Sequence, residues 1–477
     1  MARTDLLIIG GGTAGLAAAV TASELGIAAT VVEKTDDLGG QLHWSFGQFS
    51  AAGTLLQRER GIEDTPDEHY ADVMRIGHEL ATPHLVRLAV DRAGPMVDWL
   101  ESLGFPFAPE SPALVYGHEV YSRPRTYWGA GPRTEGGLAI LRTLRPRVGD
   151  GIDVRLGHRV TDLLVEDGAV VGARVASADG EFEIRARATL LTTGGYAANR
   201  ALLAEQQPRW PSALVGCRDH ATGDGHEILR RRFGTRLIRG EEYIPTMGLI
   251  EDPDRPLFGF RLHDQRLIVD ANSRLPWELW VNRRGERFVA EDVRSPHQRE
   301  QRLLDQPDMA IAAIWDQHAV REGPPAIGPD WTRERELEEA ERGAWLHRAD
   351  SLAELAAKLD VDADGLAATV DAYNRAVAAG EPDPLGREHR PATISEPPFY
   401  GVFSRGGMLL TRGGPEVDEQ LRPLDGDGHP VEGIRLAGEV LGMSQFSGDA
   451  FAGGMSIGPA LSLGRWAVER FAEGDWD

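Results

Sequence analysis

The chain has 477 residues, and its 74 acidic side chains against 51 basic ones give a formal net charge of −23. A surface that acidic repels phosphate backbones and anionic lipid, which argues against nucleic acid and membranes as partners. The single cysteine, Cys217, excludes an intramolecular disulfide, an iron–sulfur cluster and a cysteine-built zinc site, and no cluster with metal-ligand spacing stands out elsewhere.

The first element begins almost at Met1, which is not the pattern of a signal peptide, and no run of about 18 apolar residues reads as a membrane span. The expected location is therefore the cytoplasm. Asp5-Leu-Leu-Ile-Ile-Gly10 is an apolar strand that turns through Gly11, Gly12, Thr13, Ala14 and Gly15 into an alanine-rich helix. A second apolar run, Ala29-Thr-Val-Val, ends in Glu33. This is the dinucleotide-binding pattern. Gly10 allows the tight turn, Gly12 lets the backbone approach a pyrophosphate, and Gly15 lets helix pack on strand. The N–H groups that open the helix face phosphate charge. Glu33 suits the ribose hydroxyls of an adenosine and would repel a 2′-phosphate, which favours FAD or NAD over NADP.

Lys34 opens a polar turn that ends in Gly39-Gly40, followed by Gln41. Phe46 to Thr54 is rich in small residues, and Thr65 to Leu103 reads as helices, with Tyr70, Val73, Ile76 and Leu80 at helical spacing. Val115 to Gly131 gathers Tyr116, His118, Tyr121, Arg123, Arg125, Tyr127 and Trp128 in a loop, which either lines a site or covers an apolar surface. Glu166-Asp-Gly168 marks a hairpin within Val154 to Val175. Ala188 to Tyr196 is an apolar strand delivering Thr193, Gly194 and Gly195, again a backbone cradle.

From Pro208 to Arg342 arginine, proline and tryptophan rise and the strand–helix rhythm fades, which reads as an inserted domain. The expected organisation is residues 1–207, the inserted 208–342, and a returning 343–477. Leu352 to Ala379 reads as two amphipathic helices, and Pro397-Pro398-Phe399-Tyr400 re-enters the first domain. Gly433 to Val440 is a strand ending in Gly438-Glu439, and Ser447 to Ala460 leads into a closing helix with Pro459 in its first turn. The positive end of that helix suits the charge on a reduced flavin, which favours a flavin over NAD.

These motifs together resemble the fumarate reductase/succinate dehydrogenase flavoprotein superfamily, which includes 3-ketosteroid dehydrogenases. Besides the N-terminal glycines and Glu33, the likeness rests on Thr193 to Asn199, Ala221-Thr-Gly-Asp224-Gly, Val281 to Val289, Val370 to Asn374, Pro398 to Tyr400, Thr411 to Gly414, Leu436 to Val440 and the closing glycine pair. The resemblance implies an α/β fold: a Rossmann-like FAD-binding domain split in sequence, with an inserted α+β capping domain and the substrate between cap and flavin. It implies cofactor contacts from Gly10, Gly12, Thr13, Ala14, Gly15, Glu33, Lys34, Gly40, Gln41, Thr193, Gly194, Asp224, Gly438, Glu439, Gly454, Ser456 and Ile457. Gln41 stands where membrane succinate dehydrogenases carry the histidine that tethers the flavin, with His43 two residues on, so noncovalent FAD is expected.

The departures bear on the substrate. Leu409-Leu410 replaces a histidine pair of fumarate reductases. Tyr243-Ile244-Pro245-Thr246 lies near a further His-Pro-Thr. Arg294 falls one position before the family's acid arginine, and Phe451-Ala452 replaces another arginine. Without those cations a dicarboxylate loses its charge-assisted partners, so fumarate and succinate are not expected. The closing segment and Tyr400 lean towards the ketosteroid type, where a tyrosine of lowered pKa serves as base; a packed aromatic is the alternative. Candidates for proton transfer are Tyr400, Arg294, Tyr243 and Arg412. Arg405 and Arg412 either hold a substrate carbonyl or form ion pairs, Asp449 faces substrate or flavin, and His118 and His263 read as structural or exposed. The expected activity is desaturation, or the reverse ene reduction, of a carbonyl-activated C–C bond in a small molecule, with an external electron donor or acceptor. The alternatives are a flavin oxidase or hydroxylase, and a flavin binder whose catalytic set has decayed.

Overall fold

The structure, a computed structural model, describes residues 2–132, 135–209, 212–241, 245–260, 267–328 and 331–476. The chain divides into two compact units, one of Met1–Pro208, Cys217–Tyr243 and Leu410–Asp477, the other of Arg209–Gly216 and Ile244–Leu409.

In the first unit β1 (Ala2–Ile9), β2 (Ala29–Val32), β3 (Ile152–Arg155) and β4 (Gly180–Leu191) form a parallel sheet in the order β3-β2-β1-β4, and the strand Ile434–Leu436 adds to the far side of β4. All four residues of β2 are buried, as the apolar run requires of a strand covered on both faces. The first half of β4 continues a hairpin of Arg159–Glu166 and Ala169–Ser177, whose turn places Asp167 and Gly168 at φ 51° and 85°, the left-handed pair of a tight hairpin. Helix α1 (Thr13–Glu24) is buried at every residue from Ala14 to Ala22, which explains its alanines: small side chains let it lie between the sheet and the closing helix Ile457–Ala472. A Cβ on Gly464 of the closing helix would come within 2.3 Å of the Ala14 carbonyl oxygen.

In the second unit β5 (Ala310–Asp316) and β6 (Phe399–Met408) pair antiparallel along their length, and Leu279–Val281, Thr246–Leu249, Leu346–Ala349 and Leu214–Val215 complete the sheet. Helices Leu352–Leu359 and Ala363–Ala379 cover it through Leu355, Leu359, Leu366 and Val370. The inserted segment therefore runs on to residue 409 rather than 342. The stretch read as a return to the first domain supplies β6, the strand on which the whole second sheet is built. In the other direction, residues 217–241 rejoin the first unit early.

The second unit holds a buried ionic cluster. The Arg287 guanidinium grips Glu291 at 2.6 and 2.8 Å and Asp383 at 2.6 Å. Arg387, fully buried, reaches Glu291 at 3.2 Å and donates to the carbonyls of Pro276, Glu278 and His389. The Tyr373 ring lies 5.6 Å from each guanidinium carbon. Burial pushes the Asp383 carboxyl up, but the bonds from Arg287 outweigh it and hold it below its ordinary value. Asn374 pairs through its amide with both backbone groups of Ile394, and Asn282 accepts from the N–H groups of Arg284 and Glu286. The motifs Val281 to Val289 and Tyr373-Asn374 thus hold this unit together.

Candidate cofactor site

Four stretches of the first unit converge on the start of α1. Gly10, at φ 107°, hands the chain from β1 to the helix, and a Cβ there would meet the Thr192 carbonyl oxygen at 2.4 Å. A Cβ on Gly15 would fall 1.8 Å from the Gly10 oxygen. Gly40 packs on Gly12 and Gly438 on Ala14, would-be Cβ distances of 3.1 and 2.9 Å. Around Gly12 itself, and around Gly194, a Cβ would meet nothing within 4 Å. Gly12 is therefore bare for a reason other than internal packing. Neither α1 nor the closing helix has a side-chain cap or an acidic residue in its first turn, so their N-terminal partial charges are left to another group.

The acid at the end of β2 is fixed in place. Glu33 is buried and accepts from the N–H of Gly11 at 2.7 Å and of Thr35 at 2.8 Å. Lys34 donates to Thr222 at 2.6 Å and Asp224 at 3.0 Å, and Arg159 reaches Asp224 at 2.7 Å. Burial pushes the Asp224 carboxyl up, yet Lys34, Thr222 and Arg159 together hold it below its ordinary value. Thr193 Oγ1 and Gln41 Nε2 are buried without a partner. An open glycine, two uncapped helix ends, a fixed carboxylate and two orphaned polar atoms fit a pyrophosphate-bearing dinucleotide.

Glu439 takes the Thr411 N–H at 2.8 Å, and its Oε1 stands 2.4 Å from where a Gly195 Cβ would be. Burial pushes this carboxyl up, with the Thr411 bonds opposing. Gly454, at φ 82°, packs against the backbone of Phe49 and Ser50, with Ser456 and Ile457 following at the head of the closing helix.

The aromatic loop 115–131 supports that closing segment. Tyr121 donates to the Gly453 carbonyl at 2.6 Å. His118 and Phe451 exchange two bonds: the Phe451 N–H to His118 Nδ1 at 3.0 Å and the His118 N–H to the Phe451 carbonyl at 2.9 Å. Arg125, fully buried, binds Asp64 at 2.7 Å and Asp72 at 2.9 Å. The loop thus covers and braces the core, with Tyr116 left 42% exposed. His69, beside Ser50, is held neutral: burial first, and Arg125 next, push its pKa well below the ordinary value, and burial brings His220 down to about 4. Because the unfolded chain takes up protons at these histidines near pH 6.5 and the folded one does not, their contribution is intact above that pH and drains away below it. Melting temperature is expected to fall as pH is lowered from 6.5 to 5, with a shallower slope in His69→Leu, read by calorimetry.

The candidates for proton transfer fall in both units. Arg412 is buried and donates to the carbonyls of Gly448 and Ala450 at 2.7 and 3.1 Å, bracing the turn before the closing segment. Asp449 pairs with His78 at 2.6 Å. In the second unit Arg294 is exposed and Arg405 pairs with Glu251. Tyr400 is buried, donates to Gln317 at 2.9 Å and stacks near Trp315. Burial pushes its phenol pKa up, the opposite of what a tyrosinate base requires. Tyr243 and His263 lie outside the described residues. Asp425, Asp427 and His429, a grouping the sequence reading did not single out, bring ligand atoms within 4.8 Å of one another; there Asp425 accepts the N–H groups of Asp427 and His429 and so holds its own turn. Among the described residues no helix is long and apolar enough to cross a membrane.

Comparison with known proteins agrees with this geometry. The profile of a family described as an FAD binding domain matches residues 5–457. A probable fumarate reductase of Shewanella frigidimarina is 29% identical over 475 residues, covering 98% of this chain and 75% of that protein. A 3-oxosteroid 1-dehydrogenase of Mycobacterium tuberculosis is 25% identical over 582 residues, covering 98% of each chain. The open conformation of a flavocytochrome c3 fumarate reductase superposes with a TM-score of 0.80 at 27% identity, covering all of this chain and 79% of that one. In identity the match leans to the fumarate reductase rather than to the steroid dehydrogenase.

Proposed function

The chain belongs to this FAD-binding family, and from that premise we propose that it is an FAD-dependent oxidoreductase that desaturates, or in reverse reduces, a C–C bond beside a carbonyl in a small molecule. FAD supplies a two-electron hydride acceptor or donor at its N5 position. The residues that would hold it are those around the start of α1. Gly12, Thr13 and Ala14 would offer N–H groups to the pyrophosphate, Glu33 would accept from the ribose, and Thr193, Gln41 and Glu439 would supply polar contacts further along. A carboxamide at position 41 forms no covalent link, so the flavin is held noncovalently. Electrons are exchanged with an external carrier.

The observation that carries the choice of substrate is the missing cation set. Leu409, Leu410, Phe451 and Ala452 are apolar, and Arg412 is committed to two backbone carbonyls. A dicarboxylate would lose the charge-assisted bonds that make such a ligand tight. The identity of the match to a fumarate reductase favours the second reading, a carboxylate substrate. The test is anaerobic. The purified protein is expected to be yellow; its photoreduced flavin is expected to be reoxidised by cyclic enones at least tenfold faster than by fumarate, followed by absorbance. Rapid reoxidation by fumarate would establish the second reading, and a flavin indifferent to both classes would remove the first.

A further inference from the structure

Gln41, which the family resemblance already places at the cofactor, is paired with Arg218, which no sequence motif marks. Gln41 is the second residue of a short turn of helix, Gly40–Trp44, immediately after the glycine that packs on Gly12. Its Oε1 accepts the backbone N–H of Arg218 at 3.2 Å. That bond uses the acceptor end of the amide and so fixes which end is the donor. The donor, Nε2, is buried and has no partner. Arg218 is the second residue after the chain re-enters the first unit, and its guanidinium Nη1 donates to the Gly40 carbonyl at 3.1 Å. One residue thus ties down both Gly40 and Gln41.

A buried N–H₂ left without an acceptor carries an uncompensated desolvation cost, and the cost is removed when a ligand brings an acceptor to it. We propose that Gln41 donates through Nε2 to an acceptor atom of bound FAD, and that Arg218 is the positioning residue that holds the amide in this orientation. The inference rests on the reading of the α1 mouth as the cofactor site and adds to it the direction of the bond. Arg218 also lowers the pKa of His220, secondary to burial, so the neighbouring imidazole stays neutral beside the pair.

The test is the rate at which intact holoenzyme releases flavin on dilution, read by the rise in FAD fluorescence, with the melting temperature of each variant measured alongside. Gln41→Leu removes the donor and is expected to release FAD about tenfold faster, the loss of a single hydrogen bond. Gln41→Glu keeps the acceptor for the Arg218 N–H but turns a lone pair towards the ligand acceptor, and is expected to be faster still, about a hundredfold. Arg218→Ala keeps the backbone N–H that orients the amide but removes the guanidinium that ties down the Gly40 carbonyl; it is expected to speed release severalfold, and less than additively when combined with Gln41→Leu, because the tie acts through the placement of Gln41; Arg218→Lys should recover part of the loss. Equal rates for Leu and Glu, or a Leu variant within twofold of the parent, would overturn the donor role. Full additivity of the two substitutions would overturn the positioning role. A parent protein purified without flavin would instead fail the reading of the site itself.

Discussion

Gly12→Ala is expected to leave the folded protein intact and to strip it of FAD, whereas Gly15→Ala, three residues on, is expected to stop it folding. At Gly12 the backbone lies at φ −74°, which any residue adopts, and a Cβ would touch nothing. The substitution therefore costs the empty protein little, and reduced freedom in the unfolded chain offsets part even of that. The same methyl stands where the pyrophosphate must approach the helix end, and a hundredfold loss of affinity, about 2.8 kcal/mol, is expected. At Gly15 the Cβ would lie 1.8 Å from the Gly10 oxygen and 2.9 Å from Thr192 Oγ1. Neither the backbone oxygen nor the Thr192 side chain, bonded to Ile9 and Gly10, can move without parting α1 from the sheet. The expected cost is about 3 kcal/mol or more. Flavin content after purification and thermal melting separate the two. A Gly12→Ala protein that retains stoichiometric FAD would show that the open space at Gly12 serves something else.

Arg387→Met is expected to lower the stability of the second unit by about 3–5 kcal/mol, the usual result of taking one partner out of a buried ionic group. The side chain is fully buried and satisfies Glu291 together with the carbonyls of Pro276, Glu278 and His389. Methionine fills the volume but takes the donated bonds from the carbonyls of Pro276, Glu278 and His389 and leaves Glu291 with Arg287 as its guanidinium partner. Glu291→Gln acts on the same cluster from the other side, removing the carboxylate charge that Arg287 and Arg387 share. Arg283 and Asp360 provide the control: that pair joins a mostly buried guanidinium to a carboxylate 91% exposed, and Asp360→Asn is expected to cost less than about 1 kcal/mol. Denaturant unfolding followed by tryptophan fluorescence would measure all three. A loss at Arg387 no larger than at Asp360 would mean that the cluster relaxes or hydrates.

The glycines, Glu33 and the strand ending in Thr193 were legible because each is dictated by local geometry, a turn or a close approach written in consecutive residues. The motifs Val281 to Val289 and Tyr373-Asn374 were equally visible as patterns, but their use was not: Glu291, Asp383 and Arg387 are brought to Arg287 by folding alone. For the same reason the compact unit ends 67 residues beyond the boundary that the sequence pattern suggests. Nothing local to Phe399–Met408 says that it pairs with Ala310–Asp316 rather than with the first sheet. Arg125 and Tyr121 read equally well as site or support until Asp64, Asp72 and Gly453 were seen beside them. Nothing local marks Arg218, because its role depends on Gly40 and Gln41, 177 residues and more away in the chain.

Sequence by itself determined the first turn of the fold, the demand for a dinucleotide and the absence of cations at four positions, since each follows from the size, φ or charge of residues read in place. Tertiary structure alone decided which carboxylates are bound, that burial raises rather than lowers the Tyr400 pKa, and which amide nitrogen is left waiting for an acceptor. Desolvation and hydrogen-bond satisfaction depend on what surrounds a group in space, and the order of residues along a chain does not carry that information.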